Sequence, residues 1–432
     1  MTERITIAGL AIDRRLHDFV EAGILSGIGL GADAFWGGFA EILRELRPRN
    51  AALLAGCDEL QVELDAWRRA HPGRSEPQDE QAEPQVVVPV GDAGLVVDAV
   101  NARWGSLYAA VYDSDVVPEG ATARGGSSNP ARGARVVALG RDLLDAAAPL
   151  KHGSHAGATG YAVHDGRLMV ALAERCRVGL LDADAFVGYR GEPDAPSAVL
   201  MRHQGLHIEI VLDRDDPVGA IDRAGVRDLV LESAVTTIVD LEESFATVGA
   251  ADKVLAYSVL RGLFQDATGP AEQRATPFSR LSPDREYTAP DGSALRLPGR
   301  SLVLVRHVGI HMHTDAVLDG YGRAIPAGLL DALVATAAAV PSLRGTERSV
   351  YVIRPQQHGS EEADFTIELF RRVESVLGLP ERTIKVGVMG EERRADVGAD
   401  RAAAADRIAF IDTGFLGRSG GEIRSSDLAA RP

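Results

Sequence analysis

Three observations predict an α/β chain built on a (β/α) barrel of the TIM type. From about Ala234 onward, short β-branched runs recur (VTTIVD, SLVLVR, SVYVIR, IKVGVM and RIAFID), each followed by charged or Gly-rich residues. Helical segments separate them; in DFTIELFRRVESVL, Phe365, Leu369, Val373 and Leu377 fall on one face. Ligand-type side chains gather just after the runs, where parallel-sheet proteins place their sites. With QVVVPV counted as the first, about six strands are legible, whereas a closed barrel needs eight, so an incomplete barrel is expected.

The elements divide into four stretches. Residues 1–84 read as a helical segment and linker. Trp36, Phe39, Leu43 and Leu46 form one apolar stripe, and Leu53, Cys57, Leu60, Leu64 and Trp67 a second. With Pro48 between the stripes, the pattern predicts an α-hairpin capped by Asp33. The preceding GIGLG follows no strand and reads as a flexible entry to the helix. HPGRSEPQDEQAEP is Pro-rich and acidic, as a linker should be.

Residues 85–124 hold the first barrel strand and a helix, VNARWGSLYAAVY, with Trp104, Leu107, Tyr108 and Val111 on one face. Residues 125–228 have a different texture. Alternating segments turn at Asp165-Gly166 and again at Gln204-Gly205, two hairpin signals, so this stretch is expected to be an inserted β-rich α/β domain. His203 and His207 read as strand-face residues within it. Residues 229–432 carry barrel strands two to six. The stretch from Ile384 to Glu422 is a strand, an Ala-rich helix (ADVGADRAAAAD) and a strand, one βαβ unit.

Composition narrows the function classes. The 432 residues carry a formal charge of −16, which disfavours a nucleic-acid surface. Two cysteines far apart rule against a disulfide framework or a zinc cluster. The charged N-terminus and the absence of a long apolar run point to a cytoplasmic chain without membrane contact.

Functional groups recur at the strand ends: Asp240, Glu242 and Glu243; Arg306 and His307; Arg354 and His358; Glu391 and Glu392. Acids on two ends and a guanidinium on a third suit a divalent cation that binds a small oxoacid, with the guanidinium placed to stabilise an oxyanion. HVGIHMHTD offers His307, His311 and His313 as an alternative metal site. It lacks the helical spacing of a zinc site, and imidazoles suit Zn, Cu or Fe where carboxylates suit Mg²⁺.

The strings NARWGSLY, GYRG, GLHIEI, TTIVDLEES, DKVLAY, DREYTAPDG, LPGRSLVLVRHVG, HGSEEADF, EERR and AFIDTGFL occur in this order, and together the chain resembles malate synthase of the G isoform nearly from end to end. The resemblance implies an N-terminal helical clasp, a barrel interrupted by the insertion, and a further C-terminal domain. It implies condensation of glyoxylate with acetyl-CoA and water to give malate and CoA in the glyoxylate cycle, with Mg²⁺ as cofactor. Matched by motif, Arg306 is the catalytic, glyoxylate-binding arginine and Glu242 a supporting acid. Glu391 is the metal ligand, and Gly414, Phe415, Leu416 and Gly417 line glyoxylate. Val87, Ser244 and Arg280 are acetyl-CoA contacts.

The resemblance also exposes departures. Gly417 stands in GFLG where an aspartate ligand is implied, with Asp412 and Glu422 the nearest substitutes. The interval from Glu391 to Gly417, 26 residues, is shorter than implied, as is the segment between Pro72 and Val86, and Gly390 replaces an acid. Gly94-Leu95 replaces an Arg-aromatic pair, and Ser279 an arginine that neighbouring Arg280 could replace. The last two barrel strands and the base-bearing domain are expected beyond Pro432. On that reading the 432-residue chain is expected to turn over poorly or not at all. The alternatives are a degenerate relative that only binds a ligand or partner, a gene fragment, or a related metal-dependent C–C lyase. The family form is expected to be monomeric, and exposed barrel edges would favour self-association of a shortened chain.

Overall fold

Apolar β-branched runs that are buried on both faces need partners on both sides, and a parallel sheet with helical cover supplies them. The computed structural model describes residues 3–70, 85–118, 129–173, 176–242, 249–266, 277–344, 349–354, 360–389 and 407–412. Its central sheet has six strands: β1 (Gln85–Pro89), β2 (Thr236–Asp240), β3 (Leu302–Arg306), β4 (Val350–Arg354), β5 (Ile384–Met389) and β6 (Ile408–Asp412). They lie side by side in chain order. The pairs β3–β4, β4–β5 and β5–β6 are parallel, with Arg306 level with Ile353 and Arg354 level with Val388. This is an incomplete barrel of the TIM class with an inserted α/β portion, as the spacing of the runs predicts.

Contacts divide the chain into two units. The first comprises residues 1–99, 237–281 and 303–432; the second comprises 100–236 and 282–302. In the first, four helices carry the sheet's surroundings: α1 (Ala32–Ala70), α2 (Ala250–Asp266), α3 (Ala327–Ala339) and α4 (Ser360–Leu377). All 13 residues of α3 are buried, so this helix is apolar all round except for Asp331 and Thr336. On α4, Phe365, Leu369 and Val373 are fully buried, as their spacing predicts. Gly38 lets α1 approach α4 closely, since a Cβ there would lie 2.5 Å from Val376 Cγ2.

Two local expectations are overturned here. The α-hairpin is instead one helix of 39 residues with Pro48 inside it, and Asp33 sits in its first turn rather than at its cap. The first stripe is buried as expected, with Trp36 and Phe39 fully enclosed. Tertiary anchors on both sides of the proline hold the helix through it. Arg47 pairs with Asp319 and donates to Ala324 O, while Asn50 Nδ2 donates to Ile310 O at 3.1 Å. These offset the roughly 3 kcal/mol that a mid-helix proline costs. Of the second stripe, Leu53 is half-buried, and the side chains of Cys57, Leu60, Leu64 and Trp67 lie outside the described residues. The N-terminal run also forms an unforeseen strand pair, Arg4–Ile7 with Leu10–Asp13, turning through Ala8 and Gly9 at positive φ and joined by His313–Leu318 and Ala324–Pro326.

The second unit is an antiparallel sheet of seven strands with a three-stranded companion, and helix Pro130–Ala147. Both predicted hairpins are present, and Asp165-Gly166 and Gln204-Gly205 all take positive φ, the left-handed conformation that such two-residue turns require. Trp104 departs from its expected helix. It starts a short strand, Trp104–Ser106, before the helix Leu107–Tyr112, because its indole donates to Pro298 O and its strand pairs with Val230–Glu232. Among the described residues no helix is long and apolar enough to cross a membrane.

Candidate active site

Side-chain alternation along the barrel strands builds the site in layers. Ile238, Leu304 and Ile353 form a buried apolar cluster, with Val87 and Tyr351 packed against it. Two residues further along their strands, and so on the same face, stand Asp240 and Arg306. A guanidinium and a carboxylate therefore crown the apolar layer at the carboxyl ends of β2 and β3, the edge where parallel barrels carry their sites. Arg306 is 4% exposed; its Nη1 donates to Asp240 Oδ2 at 3.2 Å, and its Nη2 lies 3.5 Å from Glu242 Oε2.

The loops lock this pairing. Asp240 Oδ1 accepts from the Glu242 amide at 2.7 Å, fixing the turn after β2, and the Leu241 amide donates to Arg306 O at 3.0 Å. The Gly309 N–H faces the Glu242 carboxylate, and a Cβ on Gly309 would stand 3.6 Å from Glu242 Oε1 and 2.8 Å from the His311 ring. Glu242 Oε2 is buried without a hydrogen bond among the described residues. Burial pushes the Glu242 carboxyl above the ordinary range, tempered by the nearby Arg306 guanidinium.

A second polar group lies on the opposite, helix-facing side of the same strand ends. His307 is fully buried with neither ring nitrogen hydrogen-bonded among the described residues. Burial holds its pKa well below the usual imidazole value, and the cations Arg354 and Lys253 add to the effect. Lys253 and Tyr257 of α2 both reach Asp331 Oδ1 of α3 at 2.6 Å, and all three are fully enclosed. Burial and the Asp331 charge raise the Tyr257 hydroxyl well above its ordinary pKa.

Sequence reading missed Lys253, Tyr257 and Asp331. A signal was there: Lys253 and Tyr257 are spaced i, i+4, and Asp331 is the one charged residue in AGLLDALVATAAA. Of the predicted residues, Arg306 and Glu242 come together. Val87 packs on the apolar layer below them. Arg280 Nη1 pairs with Asp98 at 3.0 Å and its Nη2 lies 3.4 Å from Gly94 O. Ser244, Glu391, Gly414, Phe415, Leu416 and Gly417 lie outside the described residues, as do Glu243, His358, Glu392 and Glu422, and the Asp412 side chain.

A parallel barrel-type sheet with an arginine and two carboxylates at its carboxyl edge defines a TIM-barrel protein with a polar strand-end site. Three family models match this chain: the malate synthase N-terminal domain over residues 15–77, the malate synthase G alpha-beta insertion domain over 128–203, and the malate synthase TIM barrel domain over 302–431. Curated relatives named malate synthase G are 40% identical in Corynebacterium efficiens and 41% in Halalkalibacterium halodurans, over 98% and 97% of this chain. Another from Corynebacterium glutamicum is 40% identical over 98% of this chain. The chain belongs to the malate synthase family. It spans 62%, 64% and 63% of the length of these three relatives, respectively.

Proposed function

We propose that this chain carries a malate synthase site for the Claisen-type condensation of glyoxylate with acetyl-CoA and water, giving malate and CoA, with Mg²⁺ as cofactor, in the cytoplasm. The observation that carries the proposal is the buried Arg306, held by Asp240 at 3.2 Å and beside Glu242 at 3.5 Å, above an apolar layer. The methyl group of an acetyl thioester is a very weak acid, and transfer of one of its protons to a base becomes feasible where fixed cationic donors meet the oxyanion that develops on the thioester oxygen. Arg306 is such a donor. Two carboxylates orient it from one side, so it needs no reorganisation when charge develops.

The described donor set is suited to a hard cation. It is made of carboxylates, and one of their oxygens, Glu242 Oε2, is buried without a hydrogen bond. Glu391 would hold the ion, with Glu242 as the supporting acid. A bound Mg²⁺ would supply Lewis-acid polarisation of the glyoxylate aldehyde. Gly414, Phe415, Leu416 and Gly417 would position glyoxylate through their backbone, and Val87, Ser244 and Arg280 would contact acetyl-CoA.

The test is thiol release by purified protein supplied with glyoxylate, acetyl-CoA and Mg²⁺. Glyoxylate-dependent release that Arg306→Gln abolishes is the expected result. No thiol above the blank overturns the enzymatic reading. A second reading, a relative that binds without turnover, is favoured by Gly417, which offers no carboxylate where the family resemblance implies a metal ligand. It predicts saturable acetyl-CoA binding with no thiol released.

A further inference from the structure

We infer that Arg354 is a positioning residue of this site, acting through the Val308–Gly309 peptide to hold Glu242 against Arg306. The inference rests on the proposed function only where catalysis is its readout. Arg306 and Ile353 are level in the β3–β4 ladder, so Arg354, one residue on, turns to the other face and away from the substrate side. There it meets the first turn of α3. A Cβ on Gly328 would lie 2.9 Å from Arg354 Nη1 and 3.0 Å from Val308 O, so a side chain there would push the two partners of this contact aside.

The location is costly for a cation. Arg354 is 3% exposed, forms no ion pair among the described residues, and sits at the positive end of the α3 dipole. Burial lowers its pKa, while Glu362, Asp331 and Glu242 act at longer range to keep it charged. What it does there is donate from Nη1 to Val308 O at 3.3 Å. The same peptide unit presents its N–H, that of Gly309, to the Glu242 carboxylate. The chain therefore runs from guanidinium through peptide to carboxylate: a carbonyl that accepts from the guanidinium makes the N–H of its own peptide, which faces Glu242, a more polar donor.

The peptide needs such a pin. Residue 309 is a glycine with the His311 ring packed beside it, 2.8 Å from where a Cβ would stand, and a glycine on one side of a peptide lowers the resistance to its rotation. Rotation would turn the carbonyl toward Glu242 and remove its donor. Glu242 would then be left with only the longer contact to Arg306 at 3.5 Å.

The experiment follows the Gly309 amide by NMR in the 432-residue protein labelled with ¹³C-carbonyl valine and ¹⁵N glycine, in Arg354→Gln and in Gly328→Ala. Gly328→Ala breaks the same contact without removing a buried charge, and so decides the matter if Arg354→Gln fails to fold. The expected result is an upfield shift of the Gly309 proton in both variants, toward its position in Glu242→Gln, with part of it recovered in Arg354→Lys. In the thiol-release assay kcat falls about 10- to 100-fold while the acetyl-CoA KM is unchanged, the size of effect that loss of an orienting partner has at other sites. A Gly309 resonance that stays in place in the folded variants overturns the inference. Wild-type protein without thiol release overturns the proposed function instead, and the resonance still reads the relay.

Discussion

Two buried carboxylates, Glu209 in the second unit and Glu242 at the strand-end site, are treated in opposite ways. Glu209 is 1% exposed and both its oxygens are used: Oε1 accepts from Arg190, and Oε2 from Arg285 and the Tyr287 hydroxyl. Its neighbour Glu232 is equally saturated, by Arg103 at 2.5 Å and by the His207 backbone and ring at 3.1 and 2.6 Å. Burial alone would raise the Glu232 carboxyl, but His207 and Arg103 carry it below its ordinary value. Glu242 keeps one oxygen, Oε2, with no hydrogen bond among the described residues and only the 3.5 Å ion contact to Arg306, and burial carries its pKa upward. The contrast belongs to the site and not to the unit, since Glu374 in the first unit is saturated by both Arg407 nitrogens at 2.7 Å and by the Ile384 and Arg382 amides. Saturated carboxylates hold structure together; an unsaturated one keeps capacity for a ligand.

The same substitution at the two places is the sharpest way to break this comparison. Glu209→Gln removes the charge on which two guanidiniums converge and leaves them uncompensated. A loss of about 3 kcal/mol is expected, toward the low end of the range for breaking a buried pair because Arg190 is 39% exposed. Urea unfolding followed by circular dichroism measures it. A change of under 1 kcal/mol would mean that the cluster is no more than a solvated surface network.

His307 gives the next largest effect, through pH. Its folded pKa lies well below the ordinary imidazole value of 6.5, so below pH 6.5 the unfolded chain takes up a proton that the folded chain refuses. This contribution to stability is complete above pH 6.5 and is lost as pH falls toward the folded pKa, with a slope of about 1.4 kcal/mol per pH unit. His307→Gln, neutral at every pH, should remove that slope from unfolding curves collected between pH 6.5 and 5. An unchanged slope would place the titration elsewhere.

These contrasts also explain what can be read from sequence. The six barrel strands are legible because each is a β-branched run ending in a polar turn, and Asp240, Glu242 and Arg306 fall at those ends. The two hairpins are legible because Asp-Gly and Gln-Gly carry their turn type in the sequence. The continuous α1 is not, because the contacts that carry it past Pro48 come from Asp319 and Ala324, more than 270 residues away. The pairing of Lys253 with Asp331 spans 78 residues, and the Arg354 relay runs through backbone atoms that carry no residue-specific signal. Local chemistry is written in local sequence; buried partnerships across the chain are written only in packing.

The smallest expected effect carries the most information. Glu242→Gln keeps the shape, keeps an oxygen facing the Gly309 amide, and replaces Oε2, which has no hydrogen bond among the described residues. Removing the charge costs its attraction to Arg306 at 3.5 Å, yet Arg306 retains Asp240 at 3.2 Å, and the desolvation of a carboxylate is relieved. The two terms oppose, so stability should change by less than about 1 kcal/mol in either direction. Turnover, where present, should fall with it, because the carboxylate and not the fold is what the variant loses. A loss as large as that of Glu209→Gln would show Glu242 to be one more structural acid, and the distinction between the two carboxylates would fail.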